Sequence, residues 1–273
     1  MRKTRILMEK TRVLVSGAYG RMGREVVKAV VTQDDMVLVG AVDKIGVESD
    51  IGKVCGLDKL GVNIEKDLLA TLKRTKPDVM VDFTTPLVIM ENIRIAAEAK
   101  VAGVIGTTGL TGENLEEVNE LALQSGKAFL VAPNFAIGAV LMMRFAREAA
   151  RYFPDVEIIE LHHDRKIDAP SGTALKTAEM IAAGRVMEPL VKPAPLEKID
   201  GARGGEYLGT KIHSLRLPGL IAHQEIIFGN QGQTLTIRHD SLERTSFMPG
   251  VLMAIRKLRT LKGFFYGLES IMD

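Results

Sequence analysis

The sequence predicts an α/β chain: a doubly wound parallel sheet, then a second α+β domain with an open mixed or antiparallel sheet. Three observations carry this expectation. Between residues 11 and 132, short apolar β-branched runs alternate with amphipathic helical segments. Right-handed crossovers turn that order into a sheet covered on both faces. After Asn134 the alternation stops, and three strand-like segments follow one another, two of them joined by glycine-rich hairpin chemistry. The length, 273 residues, suits about two domains at roughly 150 residues each.

The elements read in order as follows. Val13-Leu14-Val15, Val37-Leu38-Val39 with Ala41-Val42, Val79-Met80-Val81, Val104-Ile105 and Phe129-Leu130-Val131 are almost wholly apolar. Strands buried on both faces look like this. Helical spacing covers 21–31, 87–100 and 111–125; in the second, Val88, Asn92, Ile95 and Ala99 form the expected inward stripe. Helices are then expected over 137–152 and 173–183, with a strand over 156–162 between them. The proline- and glycine-containing stretch 186–205 reads as an excursion. Strands are expected over 211–217, 221–228 and 234–239, the last two joined by Gly229-Asn230-Gln231-Gly232. A helix over 249–260 precedes Phe264-Phe265-Tyr266, whose aromatic side chains need a core. The expected division is therefore residues 1–134, with 247–273 packing back on them, and a second domain over 135–246.

Composition narrows the function classes. Thirty-six Lys and Arg against 34 Asp and Glu leave a formal charge of +2, which argues against a nucleic-acid or anionic-membrane partner. Tryptophan is absent and aromatic residues make up 5%, so no stacking platform for single strands is expected. A single cysteine, Cys55, excludes an intramolecular disulfide and a cysteine-rich zinc cluster. No histidine has structural zinc spacing, and no metal is expected. No apolar run approaches the roughly 18 residues of a membrane span. The basic start MRKTRILMEKTR lacks a long apolar stretch and reads as a short extension rather than a secretory signal, so a cytoplasmic protein is expected.

Gly17-Ala18-Tyr19-Gly20-Arg21-Met22-Gly23 directly follows the first strand and opens the first helix. In that context main-chain N–H groups and a helix N-terminus can hold a pyrophosphate. The spacing is G-x-x-G-x-x-G, and alone it is equally a tight strand-to-helix turn. Asp43 raises the functional reading: it ends the second strand, 20 residues after Gly23, where a carboxylate accepts from an adenosine ribose. The expected first domain is thus Rossmann-like and dinucleotide-binding. Asp43 favours the free 2′-hydroxyl of NADH, whereas Lys44 with Arg21 suits the 2′-phosphate of NADPH, so use of both is expected. Asp82-Phe83-Thr84-Thr85-Pro86 and Gly106-Thr107-Thr108-Gly109 each link a strand to a helix. Singly they are capped turns; jointly they are expected to line the nicotinamide half of the site.

His162, His163, Arg165 and Lys166 place four potential cations within five positions at a strand end. A helix follows at about Thr173, with Ser171 as its cap and Pro170 fixing its entry. The N–H groups of Gly172 and Thr173, the positive helix end and Lys166 make an anion site. A strand alternates faces, so only one of the two histidines is expected to reach the site from the strand itself. Histidine can relay a proton near neutral pH, and lysine can serve as anion ligand or proton donor. The alternative is a solvated basic turn.

GAYGRMG, DFTTP, GTTG, APNFAIGA and ELHHDRKIDAPSGTA, in this order and spacing, resemble bacterial dihydrodipicolinate reductase (4-hydroxy-tetrahydrodipicolinate reductase) over nearly the whole chain. The resemblance implies NAD(P)H-dependent reduction of a cyclic dicarboxylate, with loss of water, in lysine and diaminopimelate biosynthesis. It implies His162 as proton donor and acceptor, Lys166 as proton donor, and His163, Gly172 and Thr173 as substrate ligands. For the cofactor it implies Gly17, Ala18, Tyr19, Gly20, Arg21 and Met22, then Asp43 and Lys44. It adds Gly106, Thr107 and Thr108, and finally Ala132, Pro133, Asn134 and Phe135. It also implies a homotetramer assembled through the sheets of the second domains. Many members carry Glu-Arg where this chain has Asp43-Lys44, so cofactor preference does not carry over. Two other readings compete: another two-domain amino-acid-pathway dehydrogenase, and a non-catalytic dinucleotide-binding redox sensor.

Overall fold

In the computed structural model, which describes residues 9–187 and 196–272, the chain divides into two units. One runs to Phe135 and resumes at Phe247; the other is Ala136–Ser246. The first begins β1 (Thr11–Ser16), α1 (Arg21–Val31), β2 (Met36–Val42), α2 (Ile51–Val54), β3 (Ile64–Glu65) and α3 (Leu68–Thr75). It continues β4 (Val79–Asp82), α4 (Ile89–Glu98), β5 (Ala102–Ile105), α5 (Gly112–Ser125) and β6 (Ala128–Val131). Every residue of β4, β5 and β6 is buried, which is why their sequences do not alternate. Local chemistry sets the helix ends. The Asp67 side chain caps α3 at Ala70, and Thr111 and Asn114 form a capping box at the start of α5. Gly126, at φ +66°, ends that helix.

The inward stripe of α4 is a correction. Its buried residues are Ile89, Ile93, Ala96 and Ala97, whereas Val88, Asn92, Ile95 and Ala99 are only half-buried. Both stripes are largely apolar, so spacing alone does not choose between them. The buried set packs into the core with Leu14, Met80, Ile105 and Phe129. Elements α2, β3 and α3, between Asp43 and Val79, are short and were not expected from the sequence pattern.

The second unit contains α6 (Ile137–Ala149), β7 (Asp155–His162), α7 (Gly172–Gly184), β8 (Gly205–Tyr207), β9 (Thr210–Arg216), β10 (Ala222–Asn230) and β11 (Gln233–Ser241). Its sheet has the order β11-β10-β7-β9-β8. β7 and β9 run parallel and the other pairs antiparallel, so the sheet is mixed. Cross-strand register aligns Glu160 with Ser214 and Gln224, and His162 with Arg216. Helix α7 packs on β7 and β9, and α6 on α7 and β11. The hairpin closes at Asn230–Gln233 with Gly232 at φ +73°. The helix expected over 137–152 ends three residues early, at Ala149. The strand β8 was not expected.

The chain returns to the first unit through α8 (Met248–Leu258) and β12 (Gly263–Tyr266). β12 lies parallel to β6, aligning Phe264 with Phe129 and Phe265 with Leu130. The sheet is thereby completed as β12-β6-β5-β4-β1-β2-β3, all parallel. Phe264 and Phe265 are half-buried, while Tyr266 is exposed. Residues 1–8 of the basic start and 188–195 of the expected excursion lie outside the described residues.

Candidate active site

In the first unit, β1 hands over to α1 through Gly17–Gly20. Gly17 has φ +76°, and a Cβ there would stand 2.6 Å from the Phe83 carbonyl oxygen. At Gly23 a Cβ would stand 2.0 Å from the Gly17 carbonyl oxygen. Glycine is thus required at both positions by close backbone approach. The first turn of α1 carries no acidic residue, so its free N–H groups face no competing carboxylate. Asp43 ties the loop down: it accepts from Tyr19 N–H at 2.9 Å through one oxygen and from Ile45 N–H at 3.0 Å through the other. Each oxygen keeps a further lone pair for a hydroxyl donor. Gly17, Tyr19, Gly20, Asp43 and Lys44 line a cavity of about 630 Å³, together with Lys66, Thr84 and Asn92. Arg21 is exposed, Met22 half-buried and Ala18 buried. A glycine cradle, an acid-free helix start and a half-engaged carboxylate fit a dinucleotide.

Asp82 organises the neighbouring loops, a part the sequence reading did not assign. Fully buried at the end of β4, it accepts from Thr84 N–H (2.9 Å), Thr84 Oγ1 (2.7 Å), Thr107 Oγ1 (2.9 Å) and Asn92 Nδ2 (2.8 Å). The buried Thr107 hydroxyl is therefore committed internally, while Thr108 is exposed. Gly106 lies against the Phe83 ring, where a Cβ would be 2.0 Å from a ring carbon. Phe83 in turn packs on Phe135, ring centroids 5.8 Å apart. Ala132 and Phe135 are buried, Pro133 exposed and Asn134 half-buried.

In the second unit, β7 ends at His162, and the strand period of two places Glu160 and His162 on one face. His162 Nδ1 lies 2.5 Å from Glu160 Oε2. Arg216 spans both carboxylate oxygens at 2.7 and 3.0 Å, and Ser171 N–H donates to Oε1 at 3.3 Å. Burial alone would raise the Glu160 carboxyl. Hydrogen bonds from His162, Arg216 and Ser214 outweigh it and bring the group down to about 2. His163 follows the strand, and its buried Nδ1 has no partner among the described residues. Lys166 Nζ donates to both oxygens of Asp168 at 2.8 Å and holds that carboxyl below its ordinary value.

Ser171 caps α7 as expected, accepting from Ala174 N–H at 3.2 Å. Gly172 is exposed with open space where a Cβ would stand, and Thr173 is half-buried. A helix start with no acid in its first turn can bind a carboxylate, and the two histidines and the lysine that precede it in the chain can exchange protons with a bound molecule. Glu160 carries no role assigned from sequence alone. The Glu160-x-His162 spacing at a strand end was the available signal; Arg216, 56 residues on, had none. Among the described residues, no group of three or more His, Cys, Asp or Glu could hold a metal ion. No described helix is long and apolar enough to cross a membrane.

A parallel doubly wound sheet with a dinucleotide cradle, in one chain with a mixed-sheet unit bearing a cationic acid–base cluster, defines a two-domain nicotinamide-dependent oxidoreductase. The sequence profiles of "Dihydrodipicolinate reductase, N-terminus" and "Dihydrodipicolinate reductase, C-terminus" match residues 11–135 and 138–272, and the chain belongs to that family. The 4-hydroxy-tetrahydrodipicolinate reductase of Moorella thermoacetica is 54% identical over 262 residues, 96% of this chain and 98% of that one. The Listeria welshimeri protein of the same name is 52% identical over 262 residues, 96% of this chain and 100% of its own. The dipicolinate-bound dihydrodipicolinate reductase of Paenisporosarcina sp. TG-14 superposes with a TM-score of 0.86 at 47% identity, covering 96% of this chain and 100% of that one. An amine dehydrogenase from Mycobacterium smegmatis, 16% identical with a TM-score of 0.69 over 95% of each chain, shares the fold alone. The chain is an oxidoreductase that reduces 4-hydroxy-tetrahydrodipicolinate in lysine and diaminopimelate biosynthesis, and its N-terminal domain binds a dinucleotide.

Proposed function

We propose that residues of the second unit bind a cyclic dicarboxylate and handle its proton, while the first unit holds NADH or NADPH. The bound nicotinamide supplies a hydride, which ends on ring C4; the 4-hydroxyl leaves as water, and one proton is consumed overall. In this reading Gly172 and Thr173 receive one substrate carboxylate at the start of α7, and His163 assists. His162 takes up and returns a proton through its imidazole, and Lys166 donates one. The observation that carries the reading is a single constellation. His162 is held by Glu160 at the strand end, in the same segment as Lys166 and the open, acid-free start of α7. The dipicolinate bound by the Paenisporosarcina relative supports a small dicarboxylate as the ligand.

Dual cofactor use is supported by the mixed lining of the first-unit cavity. Asp43 suits a ribose diol, and Lys44 and Lys66 suit a 2′-phosphate. Gly17 through Met22 would take the pyrophosphate; Gly106, Thr107, Thr108 and Ala132 through Phe135 would flank the nicotinamide. The homotetramer is supported by Leu215, left exposed on the second-unit sheet, and by Leu217 and Ile221, exposed in the adjoining β9–β10 turn. A buried, unpaired Cys55 accords with a cytoplasmic setting.

The test is the loss of reduced-nicotinamide absorbance with each cofactor, while dihydrodipicolinate synthase supplies the substrate in situ. The reading requires a loss that depends on both proteins, with rates of the same order for the two cofactors. Activity with only one cofactor overturns dual use. Light scattering in solution checks the tetramer.

A further inference from the structure

Glu160 and Asp82 are the two carboxylates fully buried among the described residues. Asp82 is surrounded by hydroxyl and amide donors of its own loops; Glu160 joins three separate elements. An ionised carboxylate out of water needs compensating charge and hydrogen bonds. Arg216 supplies the charge and two donors, and the Ser171 N–H a third. The closest contact is His162 Nδ1 at 2.5 Å, and it points to what Glu160 does for the histidine. Arginine has only donors, so the group between it and the imidazole must be an acceptor on both sides. A carboxylate meets that demand, and His162 is then obliged to present Nδ1–H.

We propose that Glu160 is a positioning residue for the reaction: it holds His162 as the Nδ1–H tautomer, leaving Nε2 as the atom that takes up and returns the proton. Through the Ser171 N–H, the same carboxylate fixes the start of α7 relative to that imidazole, so proton carrier and anion site share one anchor. Arg216 keeps the anchor ionised. The inference rests on the reading of His162 as proton carrier given above.

Glu160→Gln tests it, because the shape is kept and the acceptor on one side is lost. The amide oxygen is claimed by Arg216, which turns the amide N–H groups toward His162 and forces Nδ1 to accept. Long-range nitrogen–proton correlation on the full-length, histidine-labelled protein at alkaline pH reads the tautomer directly. The expected result is Nδ1–H in the wild type and Nε2–H in Glu160→Gln, with kcat lower by about 10²-fold and the NADH Kd unchanged. An Nε2–H tautomer in the wild type overturns the proposal without need of the variant, should the variant fold poorly. The same tautomer in both proteins also overturns it. A switched tautomer with unchanged kcat instead overturns the reading of His162 as proton carrier and leaves the hold on its tautomer standing.

Discussion

The main-chain N–H of Tyr19 and the carboxylate of Asp43 meet at 2.9 Å, so the loop after β1 and the end of β2 are tied into one edge of the first-unit cavity. Asp43 therefore anchors the loop, and in the proposed reading it also accepts from a ribose. Asp43→Ala removes both. NADH affinity should fall about tenfold, close to 1.4 kcal/mol, in a fluorescence titration. NADPH should lose less, because the negative charge near its 2′-phosphate goes as well. An equal loss for both cofactors would show that the carboxylate acts through the loop alone.

Gly17→Ala meets two obstacles at once, a φ of +76° and a Cβ placed 2.6 Å from the Phe83 carbonyl oxygen. The left-handed conformation costs on the order of 1–2 kcal/mol, and the clash adds to it. Chemical denaturation should show a loss of about 2 kcal/mol or more, with NADH binding reduced in protein that remains folded.

The parallel sheet was legible because β4, β5 and β6 are buried on both faces and their apolar runs are unbroken. Helix α1 was legible at both ends, from the glycine loop before it to Val31. The inward stripe of α4 was not, since two neighbouring stripes are nearly equally apolar. The two-residue β3 and three-residue β8 are too short to leave a periodic signal. At the candidate site, residues close together in sequence were readable: the glycine loop, and the segment from His162 to Thr173. Arg216 was not, because it reaches Glu160 only through the parallel register of β7 and β9. Asp82 was visible as a strand end, but its convergence with Asn92 and Thr107 depends on how the sheet brings separate loops together.

Asp82→Ala removes one buried acceptor group that serves four donor atoms. Leaving those donors unpaired should cost on the order of 3 kcal/mol or more, read as a lower denaturant midpoint. Asp82→Asn keeps an acceptor for Thr84 and Thr107 and loses only the partner of Asn92. It should therefore be clearly the milder change. Equal effects would mean that packing, rather than hydrogen bonding, is what Asp82 provides.

Lys166 is held by both oxygens of Asp168, so its ammonium is placed rather than free to roam. Lys166→Ala should lower turnover by about 10²–10⁴-fold, the usual contribution of a positioned proton donor. The NADH Kd should stay within about twofold, since the substitution lies in the other unit. Normal turnover in this variant would remove Lys166 from the chemistry.

Glu160 also makes a pH-dependent contribution to stability whose sign follows from its environment. In the fold its carboxyl is lowered from 4.5 to about 2, because the bonds from His162, Arg216 and Ser214 outweigh the opposing effect of burial. A lowered carboxyl stabilises the fold fully above the unfolded value and loses that contribution as pH falls toward the folded value. The window is therefore from 4.5 down to about 2, and the size is on the order of 3 kcal/mol. Asp35, Glu157 and Asp168 are lowered too, but they are common to the wild type and Glu160→Gln and cancel in the difference. Urea unfolding of both proteins across pH should show a stability gap that closes as pH falls below about 5. A gap that does not change between about pH 5 and about pH 2 would mean that the carboxyl titrates alike in the folded and unfolded chains, and that Arg216 and His162 do not hold it ionised.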